Sequence, residues 1–262
     1  MPPVSEAVFI HDGSADWFTA TDLARGPWDQ QAQHGGAPAA LLMRALERLP
    51  TGEGLEIVRV TYELLRPVPL GRLRVQAEVV RPGRRVALLE ASLWGEDGRE
   101  LVRARALQVV AAQAPATSGG LVPAGPEHGR ENDLKGHFRP MFAPDAVEVR
   151  FVEGEFMALG PATAWFRLRV PLVAGEEPSV RQRLAVAGDF GNGISSPLGW
   201  DRYLYINPDL TLYIERPPEG EWIALRSHTR IAAGGIGISE SVLYDTVGQV
   251  GRATQALYVA QR

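Results

Sequence analysis

Apolar and polar residues alternate through much of the first half of the chain. Between positions 57 and 65, Val58, Val60, Tyr62 and Leu64 alternate with Arg59, Thr61 and Glu63. Between 73 and 80, Leu73, Val75, Ala77 and Val79 alternate with Arg74, Gln76 and Glu78. A period of two predicts strands with one wet and one buried face, as in an antiparallel sheet. Two further runs, 86–94 and 101–111, flank a Gly-Glu-Asp-Gly turn in which Asp97-Gly98 signals a hairpin. Ahead of these strands, residues 38–49 are mostly Ala, Leu, Met, Arg and Glu, all good helix formers. The first half of that helix is apolar nearly all round, which predicts burial on most faces.

Residues 112–147 lose this periodicity and are rich in Pro, Gly and Ala, the composition of a linker. The strand pattern then returns at 148–157 and 163–171, followed by an apolar helix over 179–189. Further strand runs come at 203–215, 221–231, 236–244 and 252–260. The halves align at a shift of 150, which sets Arg66-Pro67 on Arg216-Pro217, Thr61 on Thr211, Leu93 on Leu243 and Gly98 on Gly248. This joint order predicts an internal duplication. The fold class expected is α+β, with each unit an antiparallel sheet wrapped around a helix that could not stay exposed. The units span 1–111 and 148–262.

Composition narrows the chemistry. The 262 residues are 45% hydrophobic and 22% charged, with a net charge of −4 and no cysteine. Disulfides, thiolate metal sites and cysteine nucleophiles are thereby excluded. No basic strip is available to neutralise nucleic-acid phosphates. Apolar runs fall short of the ~20 residues that span a bilayer, and the N-terminus lacks a signal-peptide pattern. A cytoplasmic protein without membrane or nucleic-acid partners is expected. The histidines show no metal-ligand spacing, and Gly-x-Ser-x-Gly is absent.

One polar group interrupts the second apolar helix: Asp189, in Leu-Ala-Val-Ala-Gly-Asp-Phe-Gly-Asn-Gly (184–193). Two readings stand side by side: a turn residue, or a carboxylate whose burial raises its pKa and fits it to take a proton from water. The neighbours Gly191, Asn192 and Gly193 offer either helix termination or backbone N–H groups for a carbonyl oxygen. Gln255 shares a face with apolar Ala253, Leu257 and Val259 and needs a buried partner. His34, with Gly35 and Gly36, precedes the first helix, where backbone N–H groups are free; it lines a ligand entrance or is structural. Trp28, Trp200 and Tyr203 shape a pocket or fill a core.

The stretches 25–47, 188–198, 205–222 and 243–262 together resemble the double-hotdog acyl-CoA thioesterase superfamily, over nearly the whole chain. The resemblance implies two tandem hotdog units and hydrolysis of an acyl-CoA thioester. No cofactor is implied, since coenzyme A is part of the substrate. In that superfamily an Asp, a Thr and a Gln of the second unit hold and activate water. Carried over, these fall on Asp189, Asn207 and Gln255. Asn207 departs from the expected Thr, although an amide also donates and accepts hydrogen bonds. Thr211 lies nearby and is grouped with the substrate-binding positions. On the shift of 150, Ala39 takes the place of Asp189 in the first half. A hydratase of the same fold is disfavoured because the Pro and His of its motif are missing after Gly188-Asp189. A hotdog protein that binds an acyl or aromatic ligand without chemistry is the other alternative. Chain length of the acyl group and oligomeric state, monomer through tetramer, stay open.

Overall fold

The computed structural model describes residues 7–14, 16–115, 122–131 and 140–262. The first half contributes β1 (Phe9–His11), β2 (Trp17–Ala20), α1 (Gly36–Glu47), β3 (Leu55–Leu64), β4 (Gly71–Arg81), β5 (Val86–Gly95) and β6 (Glu100–Val110). The second contributes β7 (Arg130–Glu131), β8 (Val147–Glu153), β9 (Ala162–Leu168), α2 (Val180–Gly188), α3 (Gly191–Ser195), β10 (Tyr203–Ile206), β11 (Asp209–Ile214), β12 (Ile223–Ile231), β13 (Ile236–Tyr244) and β14 (Gln249–Gln261). The strands form one continuous antiparallel sheet in the order β1-β2-β4-β5-β6-β3-β11-β14-β13-β12-β9-β8-β7, with β10 also pairing β14. A large antiparallel sheet with few helices agrees with the α+β class expected.

The halves meet at β3 and β11, and the register there is symmetric. Thr61 pairs with Thr211, Glu63 with Asp209 and Arg59 with Tyr213. Residues 150 apart thus exchange places about the Thr61–Thr211 pair, whose hydroxyls are 3.1 Å apart. Inside the sheet, α1 packs on β4, β5 and β6, α2 and α3 pack on the strands of the second half, and α1 packs on α2. The apolar run of α1 explains this position: Ala37, Ala39, Ala40, Leu41, Leu42, Met43 and Leu46 are fully buried. Its first turn crosses α2 closely, because a Cβ on Gly36 would lie 2.6 Å from the Val186 carbonyl oxygen.

Four expectations change. The segment 112–147 is more than a linker: its described parts contain β7, which extends the sheet beside β8. Phe142 is buried there, and the Ala124 carbonyl accepts from Trp165 Nε1. The N-terminal strands β1 and β2 carry too few residues for periodicity to show. The run 203–215 is two strands, because Pro208 has no N–H to give the ladder. Finally, the shift of 150 fits β3–β6 onto β11–β14 but lays α1 over 186–197, across the break between α2 and α3. Ala39 is therefore a residue inside an unbroken helix, whereas Asp189 occupies a break, and the two are not equivalent positions.

Candidate active site

Asp189 ends α2 as its C-cap, and Phe190 links it to α3. The break turns the carboxylate out of the helix stack and towards the first turn of α1. A Cβ on Gly35 would lie 2.7 Å from Asp189 Oδ2, so only glycine lets the two helix ends approach. Two amides hold the other oxygen. Asn207 Nδ2 donates to Oδ1 at 2.8 Å, and Gln255 Nε2 donates to the same atom at 3.0 Å. Asn207 reaches it because the strand breaks at Asn207-Pro208. Gln255 reaches it from the buried face of β14, and its Oε1 accepts from the Asn192 backbone N–H at 3.2 Å.

The third partner comes from the other half of the chain. His34 Nδ1 lies 3.1 Å from Asp189 Oδ2 and also accepts from the Gly36 N–H at 3.1 Å. The imidazole is stacked between Phe190, with ring centroids 4.3 Å apart, and Phe142, at 5.2 Å. Burial among these rings pushes the His34 pKa down to about 4. It pushes Asp189 up to about 7, against the hydrogen bonds from Asn207, Gly36 and Gln255, which favour the ionised form. At neutral pH the imidazole is uncharged, so its contact with Asp189 is not an ion pair.

This cluster forms one wall of a cavity of about 410 Å³. Apolar side chains dominate the rest of the lining, among them Val68, Met141, Val149, Phe156 and Ile194. The exposed residues Trp28, Leu65, Arg66 and Ile206 stand at the cavity's open side. Trp28 stacks on Trp200 at 4.4 Å. A small polar cluster in a mostly apolar cleft is the common form of a ligand site.

The fate of the sequence candidates is therefore mixed. Asp189, Asn207, Gln255, His34 and Gly35 converge, and Asn192 and Gly193 join them in the cavity wall or behind it. Thr211 is not brought to the cluster; its hydroxyl is spent on Thr61 at the seam. The Asn192 N–H is taken by Gln255, so it is not free for a carbonyl oxygen. Gly191 has a packing role: a Cβ there would lie 2.7 Å from Ser241 Oγ and 3.2 Å from Gln255 Oε1. Tyr203 and Trp200 pack in a separate small cluster. Phe142 and Met141 were not singled out by sequence reasoning; the only signal for them was a pair of large apolar residues in a Pro-rich stretch.

Among the described residues no group of acidic or histidine side chains is arranged to hold a metal ion, and no helix is long and apolar enough to cross a membrane.

Two family profiles match the chain. The acyl-CoA thioesterase N-terminal domain matches residues 24–110 and the acyl-CoA thioesterase C-terminal domain matches residues 120–259. Comparison with curated protein sequences gives no significant match. Several solved structures are similar over nearly their whole length. A protein of unknown function with a hot dog fold from Alicyclobacillus acidocaldarius is 15% identical, with a TM-score of 0.75 and 97% of each chain covered. The tesB protein of Mycobacterium avium subs paratuberculosis is 16% identical, with a TM-score of 0.68 and 95% of each chain covered. An acyl-CoA thioesterase II from Mycobacterium marinum is 14% identical, with a TM-score of 0.67, covering 96% of this chain and 94% of its own.

Proposed function

The chain belongs to the acyl-CoA thioesterase family and is a thioester hydrolase, and from that premise we propose that Asp189 activates the attacking water on an acyl-CoA. One observation carries this reading: a buried carboxylate whose pKa is raised to about 7 opens onto an apolar cavity and is held there by Asn207, Gln255 and His34. A base is most effective when its pKa lies near the working pH. Both amides donate to Oδ1, which leaves Oδ2 as the oxygen for proton transfer.

In this mechanism the thioester carbonyl lies beside Asp189. Oδ2 takes a proton from water as the water oxygen bonds to the carbonyl carbon and the carbonyl π pair moves onto oxygen. Because His34 Nδ1 accepts from the Gly36 N–H, the uncharged imidazole carries its hydrogen on Nε2, and that N–H donates to the developing oxyanion. Collapse of the tetrahedral intermediate breaks the C–S bond. The proton on Asp189 passes to the departing sulfur, giving free coenzyme A and a carboxylic acid. Gly35, Asn192 and Gly193 are assigned to contacts with the thioester end of the substrate, while Gly36, Gly191 and Gln255 support them from behind. Coenzyme A enters as part of the substrate, and no cofactor takes part.

We read the architecture as two tandem hotdog units, 1–111 and 148–262, joined through 112–147. The symmetric register about Thr61 and Thr211 supports this reading, as do the two consecutive profile matches. The site lies between the units, with His34 from the first and the acid and amides from the second. The test is thiol release from a series of acyl-CoAs. The wild-type protein releases thiol from at least one chain length, and Asp189→Asn reduces that rate by roughly 10²-fold or more. An Asp189→Asn variant with the wild-type rate refutes the assignment.

A further inference from the structure

The two Arg-Pro corners that follow β3 and β11 are equivalent in sequence but not in chemistry. In the second half, Arg216 is locked. Its Nη1 and Nη2 donate to Asp245 Oδ2 and Oδ1 at 2.6 and 2.7 Å. Asp245 is fully buried and accepts further from the backbone N–H groups of Glu219, Val247 and Gly248. This is a structural clasp, with every partner satisfied.

In the first half the clasp is missing. The position 150 residues before Asp245 is Gly95, so Arg66 lacks the counterpart of that buried carboxylate, and the Glu100 carboxylate attracts it only from beyond ion-pair distance. Arg66 donates to the Glu100 carbonyl oxygen at 2.6 Å and has no ion pair within 4 Å among the described residues. The nearby Glu100 carboxylate is gripped by Arg103 at 2.9 and 2.6 Å. Arg72 is paired with Asp12 and Arg99 with Asp97. Arg66 is exposed, and among the described residues lining the cavity it alone is a cation. It also lines a second depression, which it shares with Pro67, Arg72 and Arg99.

We propose that Arg66 binds a phosphate of the coenzyme A moiety at the mouth of the cavity, an inference that rests on the acyl-CoA reading above. A thioester placed at Asp189 sends its pantetheine arm out of the cavity, and the next charged groups along it are phosphates. A guanidinium held by one backbone carbonyl keeps donors free for phosphate oxygens. Loss of the clasp in one half only is thus what turns a structural arginine into a binding one.

The experiment compares each acyl-CoA with its S-acyl-N-acetylcysteamine thioester, which lacks the phosphates. Arg66→Ala raises KM for acyl-CoA roughly ten- to a hundredfold, the size expected for a lost charge-assisted contact. It leaves kcat within about twofold, leaves the short thioester unaffected, and loses its effect at high salt. Arg66→Lys restores part of the affinity. Binding of 3′,5′-ADP, followed by Trp fluorescence, weakens in Arg66→Ala by a similar factor. The contrasting variant Arg216→Ala lowers the melting temperature by stranding Asp245 and leaves nucleotide binding intact. An equal penalty on both thioesters, or none, overturns the proposal. So does a penalty seen only with succinyl-N-acetylcysteamine, which would assign Arg66 to an acyl carboxylate. If the wild-type protein hydrolyses neither thioester, the hydrolytic reading fails, and 3′,5′-ADP binding still decides the role of Arg66. Binding that is absent, or unchanged in Arg66→Ala, overturns that role.

Discussion

Asp189 and His34 are both kept from their ordinary charge states by burial, in opposite directions, and this sets how the protein responds to pH. Asp189 must be ionised to act as a base. With its pKa raised to about 7, kcat/KM should rise with pH through neutrality and level off above it. A pH profile with a half-point near 4 to 5 would show that Asp189 titrates in the ordinary carboxylate range and that burial does not raise its pKa. Stability responds with the other sign. The folded protein holds the Asp189 proton more tightly than the unfolded chain does. Its stabilising contribution is present below the unfolded pKa near 3.8 and is lost as pH rises through about 7, at up to roughly 1.4 kcal/mol per pH unit. Asp189→Asn removes this loss, so its melting temperature relative to wild type should be higher at pH 8 than at pH 5. For His34, lowered to about 4, the folded protein disfavours the proton, and stability falls as pH drops from about 6.5 towards 4. His34→Gln should flatten that acid limb, as a series of melting curves would reveal.

Helix ends decide the site at the next scale. Two adjacent glycines at the start of α1 face different neighbours, and their alanine variants should separate. On Gly36 the added methyl would lie 2.6 Å from the Val186 carbonyl oxygen, a backbone atom that cannot move aside. We expect Gly36→Ala to cost about 1–3 kcal/mol, the usual price of overpacking, in denaturant titrations. On Gly35 the methyl would meet the Asp189 carboxylate instead. Gly35→Ala should remain folded by circular dichroism while losing at least tenfold in kcat, because the acid is pushed off its amide partners. Equal loss of stability in both variants would mean that the two glycines serve helix packing alone. The break at Asp189 was foreshadowed by Gly188, Gly191 and Gly193, but the second break, at Asn207-Pro208, lay hidden in a run read as one strand.

Across the molecule, the site has no existence within either half. His34 comes with α1, while Asp189, Asn207 and Gln255 come with the second half of the chain, and Glu176 grips Arg44 of α1 at 2.6 Å. The halves also share the β3–β11 ladder and one continuous core. Thermal unfolding should therefore be a single transition, with loss of activity and loss of near-ultraviolet dichroism superimposed. Two resolved transitions, or activity lost well before the fold, would show that the units are energetically independent.

The sequence by itself determined the strands of both meanders, because a two-sided sheet writes its period into every residue. The matches at a shift of 150 are likewise legible along the chain, and Asp189 stands out there because a carboxylate in an apolar run does so wherever it lies. Tertiary structure alone decided which residues surround that carboxylate. Phe142 sits in a stretch without periodicity, yet its ring stacks against His34, far away along the chain. Thr211 and Asn207 look alike as polar neighbours in sequence, yet one closes the seam and the other holds the acid. The same holds for Arg66 and Arg216, identical in pattern and separated by a single partner, Asp245. Periodicity is a local property and can be read along the chain. Burial, proton affinity and the pairing of charges are set by what packs from elsewhere, and only the folded arrangement fixes them.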